Sequence, residues 1–287
     1  MTDCLLCASN SHERLFSGSF GSVFKCADCG LVYLKGIGQE GLKDIYSSGY
    51  FLDREEYFFK DGVVDTGGRE SAHVKDFREG LEWLSLYVRP PGRLLDVGCA
   101  TGSFISIAKE KGWTVSGAEI SDYAASVARQ RTGIEVHDGL LKDSPWPGVF
   151  FDAVTMWDVV EHLNDPLGEL RNIRRLLKDN GFLLLNTPNE ASLMRRIARA
   201  LYSLSRGIIK SPIERLYHNF HLYYFDDKTA AMLLEKAGFS IVSSRKKVIP
   251  ITRGRGSMFV KFIVRILSIF ERLSGSEYEL FFIARKR

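Results

Sequence analysis

The chain has 287 residues, 45% apolar and 12% aromatic, enough to bury a substantial core and too apolar for a disordered chain. No run of about 18 uncharged apolar residues occurs, so no bilayer-spanning helix is expected, and the opening MTDCLLCASN lacks the basic start and apolar stretch of a signal peptide, so a cytoplasmic location is expected. The formal charge of +4 hides an asymmetry: 20 basic residues stand against 28 acidic ones up to Glu190, and 19 against 7 beyond it. A basic C-terminal part suits an anionic partner or surface, although surplus Lys and Arg also occur simply as solvated faces.

Four of the five cysteines form two CxxC pairs, Cys4/Cys7 and Cys26/Cys29, the second continuing as CADCGLVYL. This is zinc-ribbon spacing. Each CxxC turn offers two thiolates about one tetrahedral edge apart, and a module this short needs a metal to fold. Two disulfides are the competing reading, disfavoured without a secretion signal; a redox CxxC is a weaker one. With all four positions filled by protein, a zinc ion here is structural.

The stretch RLLDVGCATGSFISIAKEKGWTVSGAEIS reads as strand, glycine turn, helix and second strand: Leu94, Leu95 and Val97, then GCATG, then a helix from Phe104 to Gly112, then Val115 to Glu119. It is the first β-α-β unit of a nucleotide-binding fold, with Glu119 placed to take ribose hydroxyls. The glycines are spaced G-x-x-x-G, Gly98 to Gly102, and Asp96 stands just before them. A carboxylate there would repel a pyrophosphate and attract a cation. Further strands are expected at 134–137, 151–157, 181–187, 239–248 and 278–286, with helices near Pro166 to Leu177 and ending at Gly238.

LLDVGCATGSF with GAEIS resembles the S-adenosylmethionine site of class I methyltransferases, and FDAVTMWDVVEHLNDP followed by GFLLLNTPN extends the likeness over roughly residues 90–245. The resemblance implies a Rossmann-like α/β sheet of seven strands, the last antiparallel between the fifth and sixth. It implies S-adenosyl-L-methionine as cofactor: Asp96, Gly98 and Gly102 around its methionine and ribose, Glu119 on the ribose hydroxyls, Ile120 on adenine, and Asp138 by the adenine amino group. Asp158, at the end of the fourth strand, would face the bound cofactor. Cys99 is read as packing. Three parts follow: residues 1–36 as zinc ribbon, 37–90 as a helical segment closing over the cofactor, with Tyr46 and Tyr50 as contacts, and 91–287 as the methyltransferase domain, in which 188–227 covers the acceptor.

Methyl transfer from a sulfonium is an in-line displacement, and a base helps only when the acceptor must lose a proton. His162 and His221 are the candidates. EHLxDP recurs in ubiquinone-biosynthesis O-methyltransferases, so Glu161 and His162 serve there either as turn and wall or as chemistry. His221 lies in YHNFHLYYFDDKT, with His218 and three tyrosines, similar to sugar C-methyltransferases that carry an N-terminal zinc module. Those have a glutamate before the matching histidine; here it is Phe220, which puts sugar C-methylation in doubt. No carboxylate trio of the kind magnesium takes is apparent.

Two basic amphipathic stretches follow. ASLMRRIARALYSLSRGIIK sets Leu193, Ile197, Leu201 and Leu204 on one face and Arg195, Arg199 and Arg206 elsewhere; GSMFVKFIVRILSIFERL is apolar beside Lys261, Arg265 and Arg272. Packing over the sheet is one reading. The other is peripheral contact with an anionic membrane, consistent with a small or lipid-linked acceptor: a sugar, a quinone-like compound or a polyprenyl lipid. Nucleic acid is not an expected partner, because no RNA-binding motif is recognisable and the ribbon is almost neutral. RNA modification and a non-catalytic cofactor-binding module are the alternative functions.

Overall fold

The computed structural model describes residues 3–18, 21–35, 72–217, 220–248 and 258–287. Its centre is a seven-stranded sheet made of β4 (Arg93–Val97), β5 (Thr114–Glu119), β6 (Val136–Asp138), β7 (Phe151–Trp157), β8 (Leu177–Pro188), β10 (Phe239–Lys247) and β11 (Glu279–Lys286), in the order β10-β11-β8-β7-β4-β5-β6. The first five are parallel, and β11 runs antiparallel between β8 and β10, the place expected for the final strand. Strand order reverses at β4, whose carboxyl end carries the glycine loop; open α/β sheets bind ligands at such a point.

Helices cover both faces, as a mostly parallel sheet requires. They are α1 (Ala72–Leu84), α2 (Ser103–Glu110), α3 (Asp122–Thr132), α4 (Pro166–Leu176) and α7 (Asp227–Lys236). Local chemistry sets their starts. Ser121 caps α3, Asp165 caps α4 by accepting the Gly168 N–H with Pro166 in the first turn, and Asp226 forms a reciprocal box with Thr229 at α7. Leu94, Leu95, Val154, Met156, Leu183 and Leu185 are essentially inaccessible in the sheet. Truncating such a residue to alanine costs about 2–5 kcal/mol.

The segment KDNG after α4 reads as a turn in sequence, yet it already belongs to β8. Asn180 takes a left-handed conformation (φ 63°), and pairing with β7 skips from Phe151–Leu177 to Ala153–Phe182. The chain thus kinks without leaving the sheet.

A second sheet is formed by β1 (His12–Gly18), β2 (Gly21–Cys26), β3 (Val32–Lys35) and β9 (Tyr223–Tyr224). The first three strands are the cysteine module. The fourth comes from the stretch between β8 and α7, which also holds α5 (Leu193–Leu204) and α6 (Ser211–Leu216). β3 and β9 pair through Val32–Tyr224 and Tyr33–Tyr223, and Leu34 N–H adds a bond to the Leu222 carbonyl at 2.9 Å. One buried apolar cluster runs from Leu6 and Leu31 to Val160, Leu185 and Phe225, so the module shares the main core.

Helix α5 departs from the face expected of it. Arg195 is completely buried, whereas Leu204 is 84% exposed. Arg195 donates to Glu190 Oε2 at 2.9 Å and lies over the rings of Tyr217 and Tyr224. Glu190 also accepts from Arg199 and from the Tyr217 hydroxyl. A paired guanidinium can be buried where an unpaired one cannot, and this pairing is invisible to a hydrophobicity pattern. Packed beside α5 is α8 (Met258–Ser274), with Leu193 N–H bonded to the Ser276 carbonyl.

Candidate functional site

Asp96 is the last residue but one of β4 and has only 2% of its surface exposed. Its Oδ1 accepts the Thr155 hydroxyl at 2.7 Å. Burial pushes its pKa up to about 8, Thr155 opposes this, and the neighbouring Glu119 carboxylate adds to it. Glu119, at the end of β5, is buried too. Burial raises its pKa, and backbone donors pull against it: Ser121 N–H reaches Oε1 and Ala100 N–H reaches Oε2, each at 2.9 Å. These donors fix the carboxylate plane and leave one lone pair on each oxygen, enough for two adjacent hydroxyls.

Between the two acids the loop turns tightly. Gly98 (φ 73°) donates to the Ala118 carbonyl at 2.8 Å, and Gly102 (φ 91°) caps α2. Both conformations favour glycine. A Cβ on Gly98 would also overlap Val159, in the segment after β7. The glycine loop is thus seated directly on the second motif. Cys99 is buried against Gly117 and its thiol pKa is pushed up by burial and by both acids, which suits packing and not nucleophilic work.

The donor set fits S-adenosylmethionine: two buried acids balance a sulfonium and an ammonium, and the fixed carboxylate of Glu119 can accept from a ribose. Ile120, next to Glu119 in sequence, is 38% exposed. Asp138 stands opposite Glu119 at the end of β6, but it faces solvent and pairs with Arg129 at 3.2 Å, which holds its pKa low. Asp158, just after β7, takes a left-handed conformation (φ 51°). Tyr46, Tyr50 and His218 lie outside the described residues.

After Asp158 a single 3-10 turn, Val160–His162, presents Glu161 and His162 at the carboxyl end of the sheet. Glu161 Oε2 accepts the Thr187 hydroxyl at 2.9 Å from β8. Burial, then the nearby Asp158 charge, pushes its pKa well up. The Glu161 carbonyl accepts Leu222 N–H at 2.8 Å, and this bond brings in His221, whose ring centroid lies 4.6 Å from that of His162. The two histidines that sequence motifs single out separately are therefore in contact. Glu161, which the sequence leaves open as turn and wall or as chemistry, is the buried member of the group.

In the cysteine module, Cys4 Sγ–Cys29 Sγ and Cys7 Sγ–Cys26 Sγ are each 3.5 Å apart, all four sulfurs lie within 4.8 Å of one another, and all are free thiols. An edge near 3.8 Å is what a tetrahedral ion with about 2.3 Å metal–sulfur bonds requires. Burial opposes ionisation of Cys26, yet the N–H groups of Cys29 and Asp28 bring its pKa down to about 6. The thiols thus have the donor set and spacing of a four-cysteine metal site.

The chain matches the family model described as a methyltransferase domain over residues 71–244. It is 30% identical over 163 residues to a ubiquinone biosynthesis O-methyltransferase of Dinoroseobacter shibae, across 54% of this chain and 63% of that one. Over 102 residues it is 35% identical to the enzyme of the same description from Cereibacter sphaeroides, across 34% and 41%. The chain thus spans less than two thirds of these curated relatives' length. Among solved structures, its fold is similar to magnesium protoporphyrin IX methyltransferase of Synechocystis with bound SAH (TM-score 0.57, 19% identity, 87% of this chain and 100% of that one). It is similar also to a methyltransferase of Archaeoglobus fulgidus (TM-score 0.53, 21% identity, 83% and 99%). With the acid–glycine-loop–acid cradle at the switch point of a sheet ordered in this way, and a family match over more than half its length, the chain belongs to the methyltransferase-domain family, in its class I form.

Proposed function

We propose that the protein transfers a methyl group from S-adenosylmethionine to a hydroxyl of a small, quinone-like or lipid-linked metabolite. The observation that carries this is the adjacency of two sites: Gly98 of the cofactor cradle touches Val159, one residue before the turn that holds Glu161 and His162, with His221 across from them. A cofactor in the cradle brings its methyl group to a cluster rich in lone pairs, where a hydroxyl can lose its proton. Asp96 balances the cofactor's positive charge and Glu119 fixes its ribose. The likeness to ubiquinone biosynthesis O-methyltransferases favours an aromatic hydroxyl.

A lipid-linked acceptor is supported by the surface of α5 and α8. Leu201, Leu204, Ile208 and Ile209 are exposed near one helix end, and Ile266, Ile269, Phe270 and Leu273 on the other helix, among exposed Arg196, Arg206, Lys210, Arg265 and Arg272. Among the described residues no helix is long and apolar enough to cross a membrane. Apolar side chains rimmed by cations suit shallow seating on an anionic leaflet. In the cysteine module the bound ion is zinc, in a structural role.

Calorimetry gives the first test. Glu119→Ala should sharply weaken S-adenosylmethionine binding, and unchanged affinity would sink the assignment of the cradle. The second is cofactor-dependent methylation of a fractionated small-molecule and lipid extract, with the product identified by mass; a product lacking a new O-methyl group would overturn the acceptor class.

A further inference from the structure

We propose that Arg131 is a positioning residue for cofactor binding: it clamps the glycine loop in the conformation that fixes Glu119 for a ribose. The proposal rests on the assignment of the cradle to S-adenosylmethionine and is independent of the acceptor. Arg131 lies in the last turn of α3. Its Nη1 donates to the Thr101 carbonyl oxygen and to the Thr101 hydroxyl oxygen, each at 3.1 Å. A terminal guanidinium nitrogen carries two hydrogens, so both bonds form at once. Thr101 is itself buried, and the end of the loop rests on the same part of α3, since a Cβ on Gly102 would press on Thr132 and Ala128.

What the clamp holds is the residue before Thr101. Ala100 takes a left-handed conformation (φ 47°), which a residue with a Cβ adopts at a cost. Such a conformation persists where its surroundings over-determine it. On one side of Ala100, the Cys99 N–H is bonded to the Ala118 carbonyl at 3.1 Å; on the other, the Thr101 carbonyl is bonded to Arg131. The result is an Ala100 N–H that reaches Glu119 Oε2 at 2.9 Å.

Without the clamp, Ala100 is free to relax to a right-handed or extended backbone, and its N–H turns away from Oε2. The Glu119 carboxylate then loses one of the donors that fix its plane, and the cost of ordering it falls on binding. Arg131 thus acts on a ribose through Thr101, Ala100 and Glu119 in turn.

Calorimetry with S-adenosylhomocysteine and with its 2′-deoxy analogue tests this path, with urea unfolding of each variant as the check on folding. The wild-type chain should favour the full ribose by about 10–100-fold, the size of a hydrogen bond to a charged group. Arg131→Met should weaken binding of S-adenosylhomocysteine by about tenfold and that of the analogue far less, so that the preference shrinks. Arg131→Lys, which still offers a charged donor, should recover part of the loss. Ala100→Gly supplies a residue that takes a positive φ without the steric cost, so adding it to Arg131→Met should restore most of the preference; this arm reads the path and not the packing of α3. Should Arg131→Met not fold, Thr101→Val reports on the same clamp, and the preference should shrink there too. A wild-type preference in the folded clamp variant, whether affinity is unchanged or lowered equally for both ligands, overturns the proposal and leaves the cradle standing. So does a loss that Ala100→Gly leaves untouched. A wild-type chain that binds neither ligand overturns the cradle assignment and the proposal together.

Discussion

Asp96 carries a buried carboxyl whose pKa lies near 8 because it is desolvated and faces Glu119. A cationic ligand prefers the ionised form, so binding must release a proton whenever the pH lies below that value. Affinity for S-adenosylmethionine should therefore rise by up to about tenfold per pH unit on approaching pH 8 from below and level off above it. Calorimetry across that range checks this; a flat profile, or the same slope in Asp96→Asn, would remove Asp96 from the charge balance. The residues of this cradle were legible because they are local, lying between Asp96 and Glu119 on consecutive elements. The surroundings of Glu161 were not, since they come from Thr187 and His221, on other elements and up to 60 residues away.

Helix α5 shows where an element misleads. Its leucines and isoleucines follow a helical period, and the sequence offers no reason to bury an arginine. Yet Glu190, five residues upstream, and the tyrosines at 217 and 224 make the arginine face the inner one. Removing one partner of such a pair strands the other charge in a site of low polarity. Glu190→Ala should cost about 3–5 kcal/mol, read as a lowered urea midpoint. A loss below about 1 kcal/mol would mean that water reaches Arg195 and that the pair resembles a surface one. The same inversion leaves Leu201 and Leu204 outward, so the exposed apolar surface follows from the buried ion pair. That surface should bring the protein down with vesicles rich in anionic lipid, less so at high salt, and Leu204→Glu with Phe270→Glu should release it.

At the scale of the molecule, the order of the seven-stranded sheet was readable from strand spacing combined with the resemblance, including the reversed final strand. The docking of the cysteine module was not. The pairing of Tyr223 and Tyr224 with Val32 and Tyr33 joins residues about 190 positions apart, and nothing local announces it. Replacing Cys4 and Cys29 with serine should leave S-adenosylmethionine affinity close to wild type, because the cradle lies on β4 and β5, while methyl transfer to the acceptor falls steeply. Parallel loss of both would place the module's role in folding the whole chain instead.

The β3–β9 ladder has a practical consequence. The recognisable methyltransferase segment begins at residue 71, and a fragment cut there would look complete by every measure of family membership. It would nonetheless leave the edge of Tyr223–Tyr224 without its neighbour, and His221 held only from the side of Glu161 and His162. On the proposed function, the unit that binds the cofactor and the unit that uses it would have different boundaries, the second reaching back to the cysteines.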